Sequence, residues 1–299
     1  MIGVDWGTTS LRAYRLDGSG AVLERREGAR GILSVPEGGF PAALDAEIRP
    51  WLDAGESLVL LCGMVGSRQG WRETPYLPCP AGPAEVAAAV VPLPFEGARC
   101  LLVPGLSARG PEGVPDVMRG EETKLVGLLA ELGGGGAPAT LCLPGTHTKW
   151  ARLEGGRVAG FRTRMTGEAR AVLLEHSILG RLSASPADGD PNEGAFRRGA
   201  RRSRDAGGLL HHLFGTRALG LAGELAPGET DAYLSGLLIG HEVRAAVEDD
   251  GVSGPVHLAG SETLCRFYAI TFAEYGLAHR LHDPDVAARG LHRIGATLR

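Results

Sequence analysis

The sequence predicts an α/β protein of two domains, and three observations carry that expectation. A short apolar strand, a Gly-Thr turn and two returning strands open the chain over residues 1–25, and the same order recurs over 140–164. A polar, Gly- and Pro-rich segment at 107–115 lies between the two occurrences and has the composition of a boundary. Beyond residue 165 the apolar spacing is mainly helical. A duplicated unit is the economical account of such a repeat. The expected domains are 1–113 and 114–299, each built on a mixed sheet, with a cleft between them.

In order along the chain, residues 1–7, 11–16 and 21–25 read as a β-meander, because the gaps are too short for crossover helices. Residues 40–52 have helical spacing, 57–61 form a buried strand ending at Cys62-Gly63, 83–90 an Ala-rich helix and 100–103 another strand. In the second half 121–132 is a helix, the glycine run at 133–136 a loop, and 140–143, 149–153 and 157–164 are strands. Helices are expected at 166–176, 192–204, 208–219, 230–247, 261–274 and 285–298, with one strand, 256–259, inserted among them.

Composition excludes several classes. The 299 residues carry 31 basic and 35 acidic side chains, a net charge of −4, which is not a nucleic-acid footprint. A few local arginines would still suffice for an anionic substrate. No run of 18 apolar residues occurs, so no membrane span is expected. The opening Met1-Ile2-Gly3-Val4-Asp5 reads as a strand, not a leader. The five cysteines are scattered singly without CxxC spacing, giving neither a disulfide framework nor a zinc site, and the cytoplasm is the expected compartment. With 46 glycines in a chain also rich in Ala and Arg, each argument from a glycine is discounted for compositional bias.

Five segments concentrate the chemistry. In GVDWGTTSLR, a strand delivers Asp5 to its end, Gly7 allows a tight turn, and Thr8, Thr9 and Arg12 follow. Backbone N–H groups of such a turn suit phosphate oxygens, and Asp5 suits Mg²⁺ held through water. In PGTHTK, Gly145, Thr146, Thr148 and Lys149 offer a turn, two hydroxyls and a positive charge, while His147 is either a contact to substrate or a hydrogen-bonded structural residue. In MRGEETK, Glu121 and Glu122 open a helix, whose dipole and free amides favour an ionised carboxylate. In VHLAGSET, a strand ends at Gly260 and Ser261 opens a helix; Gly236 and Gly240, on the helix before it, serve either helix packing or a nucleotide. Lastly, Arg119, Arg162 and the loop GMVGSRQGW with Ser67 follow or precede these elements, and arginine is the residue for two-pronged carboxylate binding.

The pattern DxGTTxxR at the N-terminus resembles the first phosphate motif of the actin/hexokinase/Hsp70 superfamily. The strings VDWGTTSLRAY, GMVGSRQGW, VMRGEETKLVG, LPGTHTKWARL, FRTRMTGE, EHSILG, SGLLIG and LAGS together resemble the 2-keto-3-deoxygalactonate kinase family, in that family's order over nearly the whole chain. The resemblance implies a two-domain actin-like ATPase fold of ribonuclease H-like, duplicated mixed sheets. It implies transfer of phosphate from ATP, with Mg²⁺, to the terminal hydroxyl of 2-keto-3-deoxy-D-galactonate. It also implies roles: a first phosphate turn at Gly7, Thr8, Thr9 and Arg12; a second at Gly145, Thr146, Thr148 and Lys149; an adenosine motif at Gly260 and Ser261 with Gly236. The Gly-Asp that supplies the base in carbohydrate kinases is matched by Gly120-Glu121, with Glu122 as the alternative. Arg119, Arg162, His147 and Ser67 are the expected substrate contacts. The acid that often precedes the second phosphate turn is missing, since Leu143 and Pro144 stand there. Two alternatives remain: a kinase for another sugar or sugar acid, and a nucleotide-gated sensor, for whose extra domain the chain has no room. The expected partners are a sugar acid and ATP, and a homodimer is left open.

Overall fold

The computed structural model describes residues 1–132, 137–182, 192–283 and 285–298, so the glycine loop expected at 133–136 lies outside the described residues. In chain order the elements are β1 (Ile2–Trp6), β2 (Leu11–Leu16), β3 (Val22–Gly28), α1 (Phe40–Asp53), β4 (Leu58–Cys62), β5 (Tyr76–Pro78), α2 (Pro83–Ala88), β6 (Val91–Leu93), β7 (Arg99–Leu102), β8 (Gly105–Arg109), β9 (Pro115–Met118) and α3 (Glu121–Glu131). There follow β10 (Ala139–Leu143), β11 (Thr148–Glu154), β12 (Arg157–Arg164), α4 (Thr166–His176), α5 (Glu193–Arg202), α6 (Gly208–Leu221), α7 (Thr230–Glu248), β13 (Val256–Leu258), α8 (Glu262–Glu274), β14 (His279–Leu281) and α9 (Val286–Thr297).

By contact density the chain divides into two compact units. Unit 1 is Met1–Pro138 with Ala151–Arg162 and Asp283–Arg299; unit 2 is Ala139–Trp150 with Thr163–His282. The expected boundary between 113 and 114 falls inside unit 1. The reason is local: the Gly- and Pro-rich stretch is the turn of a hairpin, with β8 antiparallel to β9 and Gly113 at φ +76°. That hairpin and β5 form a three-stranded sheet that the sequence did not announce. Strands β5, β6 and β14 have three residues each, too few for a period to show.

Unit 1 is built on a six-stranded sheet of order β3-β2-β1-β4-β7-β6. The meander is antiparallel, whereas β1, β4 and β7 run parallel, as crossovers through helices require. Alternation on β1 sends Ile2, Val4 and Trp6 into a core with Phe40, Leu44, Ile48 and Trp51 of α1. Gly3 faces the other way, against α9: a Cβ there would lie 2.9 Å from Leu291 Cδ1. Helix α9 in turn crosses α3 on glycines, since a Cβ on Gly290 would stand 1.8 Å from the Thr123 carbonyl oxygen.

Unit 2 carries strands of a sheet ordered β12-β11-β10-β13-β14, in which β10, β13 and β14 run parallel. Its core gathers Phe196, Tyr233, Leu237, Phe267 and Phe272, with the Phe196 and Phe267 rings stacked at 4.6 Å. Helix α7 packs on α5 through small residues: a Cβ on Gly199 or on Gly236 would sit 2.0 Å from a carbonyl oxygen of the facing helix.

Candidate active site

In unit 1, Asp5 is the penultimate residue of β1, with Arg12 on one side and Cys62 on the other. Strand β4 leads into Gly63 at φ +96°, where a Cβ would lie 2.7 Å from the Trp6 carbonyl oxygen and 3.2 Å from Asp5 Oδ1. Gly120, at φ +104° just before α3, packs on Gly63: its Cβ would be 3.2 Å from the Gly63 Cα. Two glycines at positive φ therefore pack the turn after β4, which touches Asp5, against the residue that opens α3.

The two glutamates differ. Glu121 is half-buried and its Oε2 accepts the Arg119 N–H at 3.2 Å. Glu122 is fully buried; its Oε2 accepts the Gly120 N–H at 2.6 Å and its Oε1 accepts the Thr123 hydroxyl at 3.3 Å. Burial first, then the charge of Glu121, pushes the Glu122 carboxyl up to about 8, against its backbone hydrogen bonds and Arg119. Cys62, buried beside it, is likewise pushed up by burial and by Asp5 and Glu122.

Arg119 is buried and clasps Thr74, one terminal nitrogen on the hydroxyl and the other on the carbonyl oxygen at 2.8 Å, with its guanidinium 4.4 Å over the Tyr76 ring. Among the described residues its Nε and the Ser67 Oγ have no hydrogen-bond partner. Arg162 faces Glu112 at 3.9 Å and is 37% exposed. Arg12, expected at phosphate, instead donates from Nε to Glu27 across the meander at 2.7 Å, because neighbouring strands place them side by side. Thr8 and Thr9 are exposed, while the Gly7 N–H closes the hairpin on the Ser10 carbonyl at 2.9 Å.

In unit 2, a pocket of about 380 Å³ is lined by Gly145 and Thr146, by Gly167 and Arg170 of α4, and by residues of α7 and α8 including Ser235 and Phe267. Gly167 lies on the turn, since a Cβ there would be 2.6 Å from the Gly145 carbonyl oxygen, and the Glu168 N–H donates to the Thr146 carbonyl at 3.0 Å. Gly260 joins them: its Cβ would meet Pro144 at 3.4 Å. Ser261 is exposed and its side chain makes no capping bond to α8. The Gly145–Thr146 turn and the Gly260 segment, the expected second phosphate turn and adenosine motif, thus lie together. Arg170 spans the pocket wall, donating from Nε to Ser235 Oγ at 2.8 Å and pairing with Asp231.

Other expected contacts turn elsewhere. Thr148 is fully buried and bonds the Tyr268 hydroxyl at 2.8 Å; Lys149 is 5% exposed and donates to Thr163 Oγ1 at 2.9 Å. Both stand on β11, whose pleat sends successive side chains into the two packed faces instead of along the turn. His147 pairs with Glu168. Gly236, expected at the nucleotide, faces α5 at the helix crossing. Sequence reasoning missed Arg170, Asp231 and Ser235, whose only early signal was the small pair Thr166-Gly167 opening α4.

These features define a class. The chain resembles a carbohydrate kinase from Novosphingobium aromaticivorans with a TM-score of 0.52 over 100% of this chain and 94% of that one, at 13% identity, a likeness of fold. That likeness gives the two-domain actin-like fold, and the matching family profile and relatives make the protein a carbohydrate kinase of that fold. More narrowly, it belongs to the 2-keto-3-deoxy-galactonokinase family, whose sequence profile matches residues 5–294. Two relatives described as 2-dehydro-3-deoxygalactonokinases agree. The one from Rhizobium meliloti (strain 1021) is 38% identical over 287 residues, 96% of this chain and 93% of its own length. The one from Escherichia coli (strain K12) is 34% identical over 276 residues, 92% and 90% respectively. A solved structure from Sinorhizobium meliloti, described likewise, has a TM-score of 0.86 at 37% identity, covering 99% of this chain and 97% of that one.

Proposed function

We propose that this kinase transfers the terminal phosphate of ATP to the terminal (6-) hydroxyl of 2-keto-3-deoxy-D-galactonate, a step of galactonate breakdown. The acceptor is named after the relatives' activity. The observation that carries the residue roles is the Gly63–Gly120 contact, which joins the Asp5 strand end to the Glu121 helix start. Glu121 takes the proton of the acceptor hydroxyl as its oxygen attacks the terminal phosphorus and the bond to ADP breaks. Glu122, buried and neutral, holds the start of the helix. The unit 2 pocket receives the nucleotide, with Gly145, Thr146 and Gly260 toward its phosphates and nucleoside.

Phosphoryl transfer is chiefly a matter of alignment and charge neutralisation. A Mg²⁺ ion supplies the neutralisation when bound. Among the described residues no three His, Cys, Asp or Glu side chains are placed to cage a metal. Mg²⁺ held mainly by water and phosphate oxygens needs only one or two carboxylates, so Asp5 fits. Arg162 is the arginine assigned to the acceptor carboxylate, because Arg119 is committed to Thr74 and Tyr76. The five cysteines are all free thiols, which supports the cytoplasm.

A coupled ADP-release assay over a panel of 2-keto-3-deoxy acids and neutral sugars tests the proposal. The 2-keto-3-deoxy acid should be used far better than any neutral sugar. Equal use of neutral sugars would sink the carboxylate assignment, and a better substrate among other acids would replace the acceptor.

A further inference from the structure

Glu242 lies on α7, is 4% exposed and does not line the pocket. Its carboxylate nevertheless receives hydrogen bonds from three separate elements: Trp150 Nε1 of β11 at 2.7 Å, the Tyr268 hydroxyl of α8 at 2.9 Å, and the Thr166 hydroxyl at the start of α4. Tyr268 also bonds Thr148 Oγ1 at 2.8 Å. Thr166 and Tyr268 are pocket walls, and Thr148 directly follows the turn that carries Gly145 and Thr146. One buried acceptor thus ties together the strand after the turn and the two helices that frame the pocket.

The direction of the protons follows from the inventory of the groups. Burial raises the Glu242 carboxyl, opposed by the hydrogen bonds from Thr166, Trp150 and Tyr268 and by the charge of Arg164, whereas Glu122 has a like charge beside it. With three donors aimed at it, Glu242 is taken as the carboxylate, which only accepts, and an indole N–H only donates. Tyr268 gives its single proton to Glu242, so Thr148 donates to Tyr268. Thr166 also points its proton at Glu242 and therefore presents lone pairs to the pocket. A ligand group meeting Thr166 must be a donor, such as a hydroxyl or amino group of a nucleoside, and not a phosphate oxygen.

We infer that Glu242 is a positioning residue of the nucleotide pocket, holding its walls in register and fixing Thr166 as an acceptor toward the bound nucleoside. The inference rests on the reading of that pocket as the nucleotide site. An amide at 242 would force reversal, because its NH₂ must face either the Trp150 N–H or the two hydroxyls.

The experiment uses the full chain and compares Glu242→Gln, Thr148→Val and Thr263→Trp with the native enzyme, after thermal melts establish folding. Glu242→Gln should raise KM for ATP about tenfold or more, the effect of losing charged hydrogen bonds, with KM for the acceptor within about twofold of native. Thr148→Val, which reaches the pocket only through Tyr268, should raise the same constant by less. Thr263 lines the pocket outside this network, so Thr263→Trp obstructs the pocket directly and should also raise KM for ATP. If Thr263→Trp does so while Glu242→Gln and Thr148→Val leave it unchanged, Glu242 serves the core alone and the inference falls. If Glu242→Gln does not fold, Thr148→Val decides on the same criterion. If all three leave KM for ATP unchanged, the pocket reading itself falls and takes the inference with it.

Discussion

At the residue scale, adjacent acids at the start of α3 have opposite surroundings. Glu121 is half-buried, whereas Glu122 is sealed. Glu121→Gln should retain ATP binding and lose about 10²–10⁴-fold in turnover, the usual consequence of removing a general base; normal turnover would move the role elsewhere. Glu122→Gln should keep most activity, since an amide imitates the neutral acid. Its effect belongs in the pH dependence of stability. A carboxyl raised from 4.5 to about 8 on folding binds more protons in the folded than in the unfolded state between those values. Stability therefore falls as pH rises through that window. Melting curves from pH 5 to 8 should show native Tm declining relative to Glu122→Gln, and parallel curves would contradict the buried state. Arg162→Lys should raise KM for the keto acid roughly ten- to a hundredfold, because an ammonium does not reproduce the planar grip. Arg119→Lys should instead lower Tm, through loss of the clasp on Thr74.

At the element scale, helix crossings are set by glycines with no room for a methyl group. A Cβ on Gly236 would meet the Phe196 carbonyl oxygen at 2.0 Å, so α5 and α7 must separate to admit it. Gly236→Ala should destabilise unit 2 by about 1–3 kcal/mol, the range for overpacking. KM for ATP should be nearly unaffected in the folded fraction, since Gly236 does not line the pocket. A rise in KM without a loss of Tm would return Gly236 to the nucleotide. The α3–α9 crossing has the same construction at Gly290, and it also sets where Glu121 and Glu122 stand. The C-terminal helix thereby belongs to the candidate site although none of its residues carries chemistry.

At the scale of the whole molecule, the two units hold different parts of the proposed reaction. Unit 1 holds the carboxylates and Arg162; unit 2 holds the pocket. No helix among the described residues is long and apolar enough to cross a membrane. Chelation of divalent ions should abolish turnover, and Mg²⁺ should restore it. Asp5→Asn should raise the Mg²⁺ concentration needed for half-maximal rate about tenfold or more, as loss of a charged contact does. An Asp5→Asn enzyme with native Mg²⁺ dependence would remove Asp5 from the ion.

Much of this was legible in the chain itself. The meander, its repeat after residue 139, the helical second half and the order of the motifs follow from local rules: alternation, helical spacing and turn chemistry act over a few residues. Those rules also placed Asp5 at a strand end and Glu121 at a helix start. Direction was not legible. Consecutive helix residues point about 100° apart, so nothing local distinguishes Glu121 from Glu122 until tertiary packing seals Glu122. Thr148 and Lys149 read as extensions of a phosphate turn, and only the packed faces of β11 turned them inward. The pocket wall of Arg170, Asp231 and Ser235 joins helices some sixty residues apart in sequence. The sequence alone determined which groups are present and on which elements. Tertiary packing alone decided which of them meet, because burial and contact between distant segments depend on the whole core and not on any local period.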